Sequence, residues 1–354
     1  MKTLVAIFVM LMLIFGCSMP GDSGTNQTNG TATDTPKPVK PTVAPPVVEP
    51  IQNETDVEEV NNTPDDPFAG IIPRNISDRI GDGQFRMIDS PGEPFWMYVI
   101  NDGNADSILI KKGSFYMLID AGNSEQVMSF LNKLRITRIN VVVATRDDDG
   151  AVGGMEDIIR NYKVDEFWDN GVDYASDGYM SLLSAVKAIG IPIKHPVSGD
   201  YLFVQGMRVE ILNPKEIKMG SNADLDAIVM KLNAGGFCAV LLNPTVQERE
   251  NDIIGSNDDL RCDVVTYFKH GEGRPMPSLL ISDYVKPKDA IISVGPNDNK
   301  LPSAMALSWL DMKGIKAWRT DKNGTVVINT DGMGTYTIGR YDMKQNTTVD
   351  TITR

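Results

Sequence analysis

The chain has 354 residues, enough for one large domain or two domains of modest size. Hydrophobic residues make up 42% and charged residues 23%, which is typical of a folded, soluble protein. The formal net charge of −13 argues against nucleic acid and anionic lipid as partners, because both need clustered Lys and Arg.

The first residues predict an exported lipoprotein. Lys2 precedes an apolar run, Leu4 to Phe15, that is too short to span a bilayer as a mature helix. Gly16 before Cys17 resembles the lipobox of prokaryotic lipoproteins, which implies lipidation at Cys17 and a signal peptide at 1–17. The alternatives are an ordinary signal peptide and an uncleaved anchor. In each case we expect an exported bacterial or archaeal protein, and lipidation would hold it on the outer face of the cytoplasmic membrane.

Residues 18–82 have the composition of a disordered tether. A Thr-, Asn- and Gly-rich stretch is followed by prolines and an acidic patch, so the segment cannot bury enough surface to offset its ordering entropy. Asn-x-Ser/Thr sequons crowd here, which indicates either a glycosylated surface or chance in an Asn- and Thr-rich sequence. The sequons of the chain are at Asn26, Asn29, Asn53, Asn61, Asn75, Asn323 and Asn346.

From residue 83 the pattern predicts a folded domain over 83–342 and a C-terminal tail at 343–354. Runs of β-branched and aromatic residues alternate with amphipathic segments, which indicates more than ten strands and at least four helices. Strands are expected at 95–102, 107–112, 115–122, 139–145, 207–213, 226–233, 237–243, 263–268, 289–295 and 325–330. Helices are expected at 124–134, 155–162, 179–189 and 303–313.

The order of these elements predicts the fold class. The first three strands are joined by short turns, as in an antiparallel meander, before any long helix follows. More than ten strands indicate more than one sheet, and the predicted helices lie between the later strands in the sequence. We therefore expect an α/β fold in which two mixed sheets are sandwiched between helices, an αββα arrangement.

Two cysteines remain once Cys17 is assigned to lipid. Cys238 and Cys262 each lie in an apolar strand pattern. A disulfide is possible outside the cell, but we expect two buried free thiols.

Several segments, in the same order along the chain, resemble a metallo-β-lactamase-fold domain, and most closely the extracellular hydrolase domain of competence-type DNA-uptake channel proteins. The resemblance extends from about Met97 to Gly339. It implies the αββα fold and, in active members, a Thr-His-x-His-x-Asp-His-x-x-Gly-Gly loop that holds two zinc ions. The matching segments are 101–110, 118–122, 139–145, 152–154, 169–171, 210–214, 292–295 and 319–325.

The zinc-binding loop of this family is altered here, although its framing Thr145 and Gly153-Gly154 are present. The first two histidines of the motif fall on Arg146 and Asp148. The aspartate falls on Gly150, and the third histidine falls on Ala151.

The downstream ligand positions are altered as well. The bridging carboxylate of the family corresponds to Thr245, its His-His pair to Lys269 and His270, and its last histidine to Leu301. The chain contains two histidines in all, and the other is His195, outside every family motif. We therefore expect no zinc site. Mg²⁺ or Ca²⁺ on the aspartate-rich loop is disfavoured, because the cationic side chains of Arg146 and Lys269 stand at two of the family's ligand positions and would repel a metal ion.

Fixed charges are expected to replace the metal. Arg146 or Lys269 would pair with Asp148 and with Asp120 or Asp106. In the alternative interpretation, Asp149 caps the following helix and Asp147 faces water.

The favoured function is a hydrolase-fold lipoprotein that has lost its zinc ligands and acts by binding a small anionic ligand or a protein. One alternative is a phosphoesterase or nuclease-like hydrolase with an Mg²⁺- or Ca²⁺-type site and His270 as general base. A second alternative is a structural or assembly role at the cell surface. No residue is assigned as catalytic, and the candidate binding residues are Asp120, Arg146, Asp148, Asp149, Lys269, His270 and Arg274.

Overall fold

The structure is a computed structural model that describes residues 93–171, 176–216, 225–242, 247–257, 259–267 and 279–354. The predicted signal peptide, Cys17 and the tether lie outside these residues. Within them, no helix is long and apolar enough to cross a bilayer. The predicted fold class is confirmed: two mixed sheets pack face to face, and helices pack on their outer faces.

Strands form wherever β-branched and aromatic residues alternate between two buried faces. In β1, for example, Phe95, Met97 and Val99 point between the sheets, whereas Trp96 and Tyr98 point to the outer face. The strands are β1 (Phe95–Val99), β2 (Ile108–Lys112), β3 (Phe115–Ile119), β4 (Arg138–Val143), β5 (Lys163–Trp168), β6 (Ile193–Lys194), β7 (Tyr201–Val204), β8 (Met207–Asn213), β9 (Val229–Ala234), β10 (Phe237–Leu242), β11 (Val264–Tyr267), β12 (Asp289–Ile292), β13 (Lys316–Arg319), β14 (Val326–Thr330), β15 (Thr337–Asp342) and β16 (Thr347–Thr353).

Each of the two sheets has an antiparallel half and a parallel half. The first has the order β16-β15-β14-β1-β2-β3-β4-β5-β6 and is antiparallel up to β3 and parallel from β3 to β6. The second has the order β13-β12-β11-β10-β9-β8-β7 and is parallel from β10 to β13. In each sheet the parallel strands are connected to one another through helices, because parallel pairing requires crossover connections.

The four predicted helices are present, within two residues of their expected ends, and four further helices of four to ten residues occur among the described residues. Four of the helices pack on the first sheet, and three others pack on the second sheet. The helices are α1 (Ser124–Lys133), α2 (Asp149–Val152), α3 (Met155–Asn161), α4 (Asp177–Ile189), α5 (Gln247–Ser256), α6 (Leu279–Val285), α7 (Ala304–Met312) and α8 (Thr320–Asn323).

The expected C-terminal tail contains strand β16, which pairs with β15 at the edge of the first sheet. Arg354 follows it and donates to Asp289 of the second sheet, at 3.0 and 3.2 Å. Asp289 is fully buried and also accepts hydrogen bonds from Trp318 and Tyr336, at 2.9 and 2.7 Å. The segment is therefore part of the sandwich, because it supplies a charged partner to a buried carboxylate.

The expectation of two free thiols is wrong. Cys238 of β10 and Cys262, which precedes β11, form a disulfide across neighbouring strands, with their Cα atoms 4.7 Å apart. The main chain also joins the two strands there, because Asp263 N donates to Cys238 O at 3.0 Å. Strand propensity alone does not reveal which strands become neighbours.

Candidate functional site: a buried ion cluster at the strand ends

The carboxyl ends of β3 and β4 lie side by side because these strands are parallel. Asp120 follows β3, and Thr145 and Arg146 follow β4. This is the crevice in which open α/β sheets place their functional groups. The residues that the sequence analysis singled out at 120 and 146 therefore meet at one edge.

Arg146 is the centre of this edge. Its side chain is 1% exposed and contacts three carboxylates. Nη2 donates to Asp106 at 2.6 Å, Nε donates to Asp148 at 2.6 Å, and Nη1 lies 3.6 Å from Asp120. Burial lowers the pKa of Arg146, but the three carboxylates outweigh that effect and raise it, so the guanidinium stays charged. The predicted pairing of Arg146 with these aspartates is present.

Asp120 is fully buried, and its carboxylate also organises the start of the loop. Thr145 donates to it twice, through N at 2.8 Å and through Oγ1 at 2.6 Å. Burial raises the pKa of Asp120 to about 8, although Arg146 and the bonds from Thr145 oppose the shift. The cluster thus contains one cationic side chain and three acidic ones. A proton on Asp120 reduces the excess negative charge.

The loop after Arg146 turns directly into α2. Asp148 is the N-cap of this helix, and its side chain accepts from Ala151 N at 3.2 Å. The expectation that Asp149 caps the helix is therefore wrong, because Asp149 lies one residue inside it and is exposed. Asp148 binds both the guanidinium and the helix start, and so it couples Arg146 to the backbone of the loop.

Two of the altered ligand positions, Gly150 and Ala151, lie in α2 beside the ion cluster, and Gly150 adjoins the guanidinium. A Cβ at Gly150 would lie 3.5 Å from Nη2 of Arg146 and 3.1 Å from Oδ1 of Asp148. The absence of a side chain there leaves room for the carboxylate of Asp148, since 3.1 Å is a tight contact and 3.5 Å an ordinary one. The backbone of this pair also holds the site, since Gly150 O accepts from Asp106 N and Ala151 O accepts from Ala121 N, at 2.9 and 2.7 Å.

The second sheet closes the site from the other side. Ile228 N donates to Thr145 O at 2.9 Å, and Ser293 Oγ donates to Ala105 O at 3.0 Å. Gly295 lies so close to Gly103 that a Cβ would come within 2.5 Å of its carbonyl carbon. The segment that carries Asp106 is therefore held in place by contacts from both sheets.

These residues do not fit the zinc pair that the fold resemblance implies. A guanidinium lies among the carboxylates, the donors are all oxygens, and a cation beside Arg146 would be repelled by it. Among the residues that the structure describes, no group of three or more His, Cys, Asp or Glu side chains is arranged to hold a metal ion.

Sequence reasoning missed a second cluster, at the ends of β5 and β6. Asp169 is 2% exposed; its carboxylate accepts from Tyr179 OH at 2.5 Å and contacts Nδ1 of His195. The hydrogen bond with Asp169 raises the pKa of His195, against an opposing effect of burial. The helix that carries Tyr179 adjoins the loop, because Ser176 Oγ donates to Asp147 O at 2.9 Å. The sequence offered two signals: Asp169 lies in a segment that resembles the family, and His195, like Asp169, follows a strand.

The remaining predicted site residues fall elsewhere. Thr245, Lys269, His270 and Arg274 lie outside the described residues. Leu301 lies in the turn before α7, where its N–H and C=O bond to the side chain of Asn297, at 2.7 and 3.1 Å.

Comparisons with known proteins agree on the fold. No family model matches the chain, and no curated protein matches it in sequence. The metallo-β-lactamase fold protein YhfI from Bacillus subtilis is similar over 67% of this chain and 100% of its own, with 9% identity and a TM-score of 0.46. The metallo hydrolase Igni18 from Ignicoccus hospitalis is similar over 66% and 98%, with 11% identity and a TM-score of 0.41. CmlA, a diiron β-hydroxylase from Streptomyces venezuelae, is similar over 66% and 53%, with 11% identity and a TM-score of 0.39. Similarities this low carry no argument about activity.

Replacing Arg146 tests the ion cluster. Arg146→Met leaves the buried carboxylates of Asp106 and Asp120 without their cation, so we expect the free energy of unfolding at pH 7 to fall by about 3–5 kcal/mol. Without Arg146, which opposes the raised pKa of Asp120, the Asp120 carboxyl then stays protonated in the fold but ionises in the unfolded chain. The loss should therefore shrink as the pH falls from about 8 toward about 4. Denaturant unfolding across this range measures it.

The matched control is Arg160→Met, which breaks an exposed ion pair with Glu156 on α3. We expect this control to change stability by less than about 1 kcal/mol. Adding Asp120→Asn to Arg146→Met should recover part of the loss. Equal effects of the two arginine replacements at pH 7 would contradict the ion cluster.

His195 gives a separate pH prediction. Because its pKa is raised in the fold, its stabilising interaction with Asp169 is fully present below the unfolded value of about 6.5. It is lost as the pH rises through the folded value. We expect an imidazole titration by NMR with a pKa above 6.5, absent from His195→Gln and unchanged in His270→Gln. A pKa at or below the free value would show that the pairing does not hold in solution.

Proposed function

We propose that this chain is an exported, membrane-tethered protein with a metallo-β-lactamase-like fold that acts by binding rather than by metal-dependent hydrolysis. The observation that carries the proposal is the buried guanidinium of Arg146 among Asp106, Asp120 and Asp148. A positive charge is already present at the strand ends and has its counter-charges. The cluster therefore holds the loop in one conformation without a metal ion.

The buried position of Arg146 changes its proposed role. A side chain that is 1% exposed and bonded to carboxylates cannot also contact a ligand. Ligand contacts at this edge would come from its rim, where the side chain of His195 is 43% exposed. Lys269, His270 and Arg274 remain candidates for the same rim. Cations of this kind suit a small ligand that carries a carboxylate or phosphate group, and a protein partner is the other possibility.

Export and tethering are supported by the N-terminal sequence and by the cysteines. Lys2, the apolar run and Cys17 have the order of a lipoprotein signal. The disulfide between Cys238 and Cys262 suits an oxidising compartment, because cytosolic thiols are kept reduced. Kinship with competence-type hydrolase domains stays a prediction from the sequence motifs, and nucleic acid stays an unfavoured partner because of the net charge.

A hydrolysis panel tests the proposed function. The full chain, purified in detergent without a histidine tag, would be incubated with bis-p-nitrophenyl phosphate, p-nitrophenyl phosphate and a chromogenic β-lactam, each with Zn²⁺, Mn²⁺, Mg²⁺ or Ca²⁺. We expect no turnover above that of the heat-denatured protein, because Arg146 repels a cation at the strand ends. Metal-dependent turnover that Asp148→Asn abolishes would overturn the proposal in favour of an aspartate-based hydrolase.

Replacing Cys17 tests the tether. In the native cell type or a bacterial host, the wild-type chain should sediment with membranes and be released by detergent but not by salt. Cys17→Ser removes the acylated sulfur, so we expect the cleaved chain to appear in the extracytoplasmic soluble fraction, or the precursor to accumulate. A Cys17→Ser chain that is processed as the wild type is and still sediments with membranes would rule out the lipid anchor, and Ser23→Ala in the predicted tether is the control.

A further inference from the structure

A groove crosses the outer face of the first sheet, beyond the part that the helices cover. It consists of two adjoining cavities of about 460 and 610 Å³ that share Lys111, Leu134 and Asn346. The strands of the antiparallel half supply its floor, and the end of α1 with the following turn supplies one wall. The groove is therefore built on regular strands, which hold side chains in fixed positions.

The floor carries a row of different side chains in register. Trp96 of β1 pairs with Lys111 of β2 on one side and with Asn329 of β14 on the other. Asn329 in turn pairs with Thr337 of β15. Paired residues on one face have their Cβ atoms about 5 Å apart, so an ammonium, an indole, an amide and a hydroxyl lie in line across four strands.

An aromatic surface lies within this row. Trp96 stacks on Tyr98 with an interplanar angle of 5° and ring centroids 6.0 Å apart, and the Tyr98 ring meets that of Tyr341 edge-on. Trp96 is only partly buried. It lines the groove and does not belong to the fully buried core. Its indole offers a flat apolar surface with polar groups on both sides.

The charge of the groove is opposite to that of the protein. Lys111, Lys133 and Arg135 line it, and no Asp or Glu does. The net charge of the chain is −13, so a lining with three cations and no acid departs strongly from the average surface. Among the described residues none of the three cations makes an ion pair with a carboxylate. Their charges are therefore available to a ligand.

We propose that this groove binds an acidic carbohydrate. A pyranose ring has an apolar C–H face that fits on the indole of Trp96, and hydroxyls at its edge that suit amides such as Asn329 and Asn346. A carboxylate, sulfate or phosphate on the sugar pairs with Lys111 or Arg135. The two cavities together accommodate more than one sugar ring, because ligand pockets of roughly 300–1,000 Å³ hold a drug-sized molecule.

Single-stranded nucleic acid could also stack on aromatic rings, but the observations favour a sugar. Tracking a phosphate backbone requires a continuous basic surface, whereas this groove has three cations on a strongly acidic chain. Its polar lining consists mainly of amides and hydroxyls, which match the edge of a sugar ring.

The groove is independent of the ion cluster. Lys111 pairs with Tyr116 of β3, and Asp120 follows four residues later, about 13 Å farther along the strand. Success or failure of the groove proposal therefore says nothing about Arg146, and the two can be tested separately.

The experiment is a calorimetric titration of the full chain in detergent with trigalacturonic acid. A neutral galactose trisaccharide and a single-stranded oligothymidylate are titrated in parallel. We expect saturable binding of the uronate, weakened by added salt, with the neutral sugar and the oligonucleotide each binding at least about tenfold more weakly. Absence of uronate binding would overturn the proposal. So would neutral sugar bound as tightly as uronate, or tighter binding of the oligonucleotide.

Variants locate the binding. Trp96→Leu and Lys111→Met should each weaken uronate binding by roughly tenfold, because one removes the stacking surface and the other the charge. The matched control is Lys163→Met, which removes an exposed lysine at the start of β5, outside the groove. Thermal melts check folding, and Lys133→Met on the exposed end of α1 serves if the strand variants are unstable. Uronate binding that is unchanged in all three groove variants would place it elsewhere and overturn the proposal.

Discussion

A buried guanidinium must have counter-charges, and the arrangement of the strand ends follows from that constraint. Arg146 is 1% exposed, and its nitrogens face Asp106, Asp120 and Asp148. These carboxylates come from three different segments: the loop between β1 and β2, the end of β3, and the cap of α2. One side chain therefore bonds to all three segments, alongside the backbone hydrogen bonds from Asp106 N to Gly150 O and from Ala121 N to Ala151 O.

The cluster fixes geometry more than it adds stability. Removing three or four charges from water costs several kcal/mol per ion, and the attraction between them only offsets that cost when each has its partners. Here Thr145 donates two further hydrogen bonds to the carboxylate of Asp120, and Ala151 N donates one to that of Asp148. In a metal-containing hydrolase a cation would occupy such a place and bind water. A guanidinium carries no water ligand, so Arg146 can fix the position of these segments but cannot itself supply a metal-bound nucleophile.

Much of this could be predicted from the sequence, where the information is local. Alternation of apolar residues located most strands, and the aspartates around Arg146 indicated the ion pairs. What failed depends on distant contacts: the partner of Cys238 and the meeting of Asp169 with His195. Whether Asp148 or Asp149 caps α2 depends on a shift of one residue, which composition cannot resolve. Lys269, His270 and Arg274 lie outside the described residues, so their predicted role rests on the sequence alone.

The most direct test of the central claim is the metal content of the protein. The full chain, purified without a histidine tag and without chelators, would be analysed by inductively coupled plasma mass spectrometry, and its thermal melt would be recorded with and without EDTA. If Arg146 replaces the metal, no metal will be present in stoichiometric amount and EDTA will leave the melting temperature unchanged. One or two metal ions per chain, whose removal lowers the melting temperature, would contradict the account.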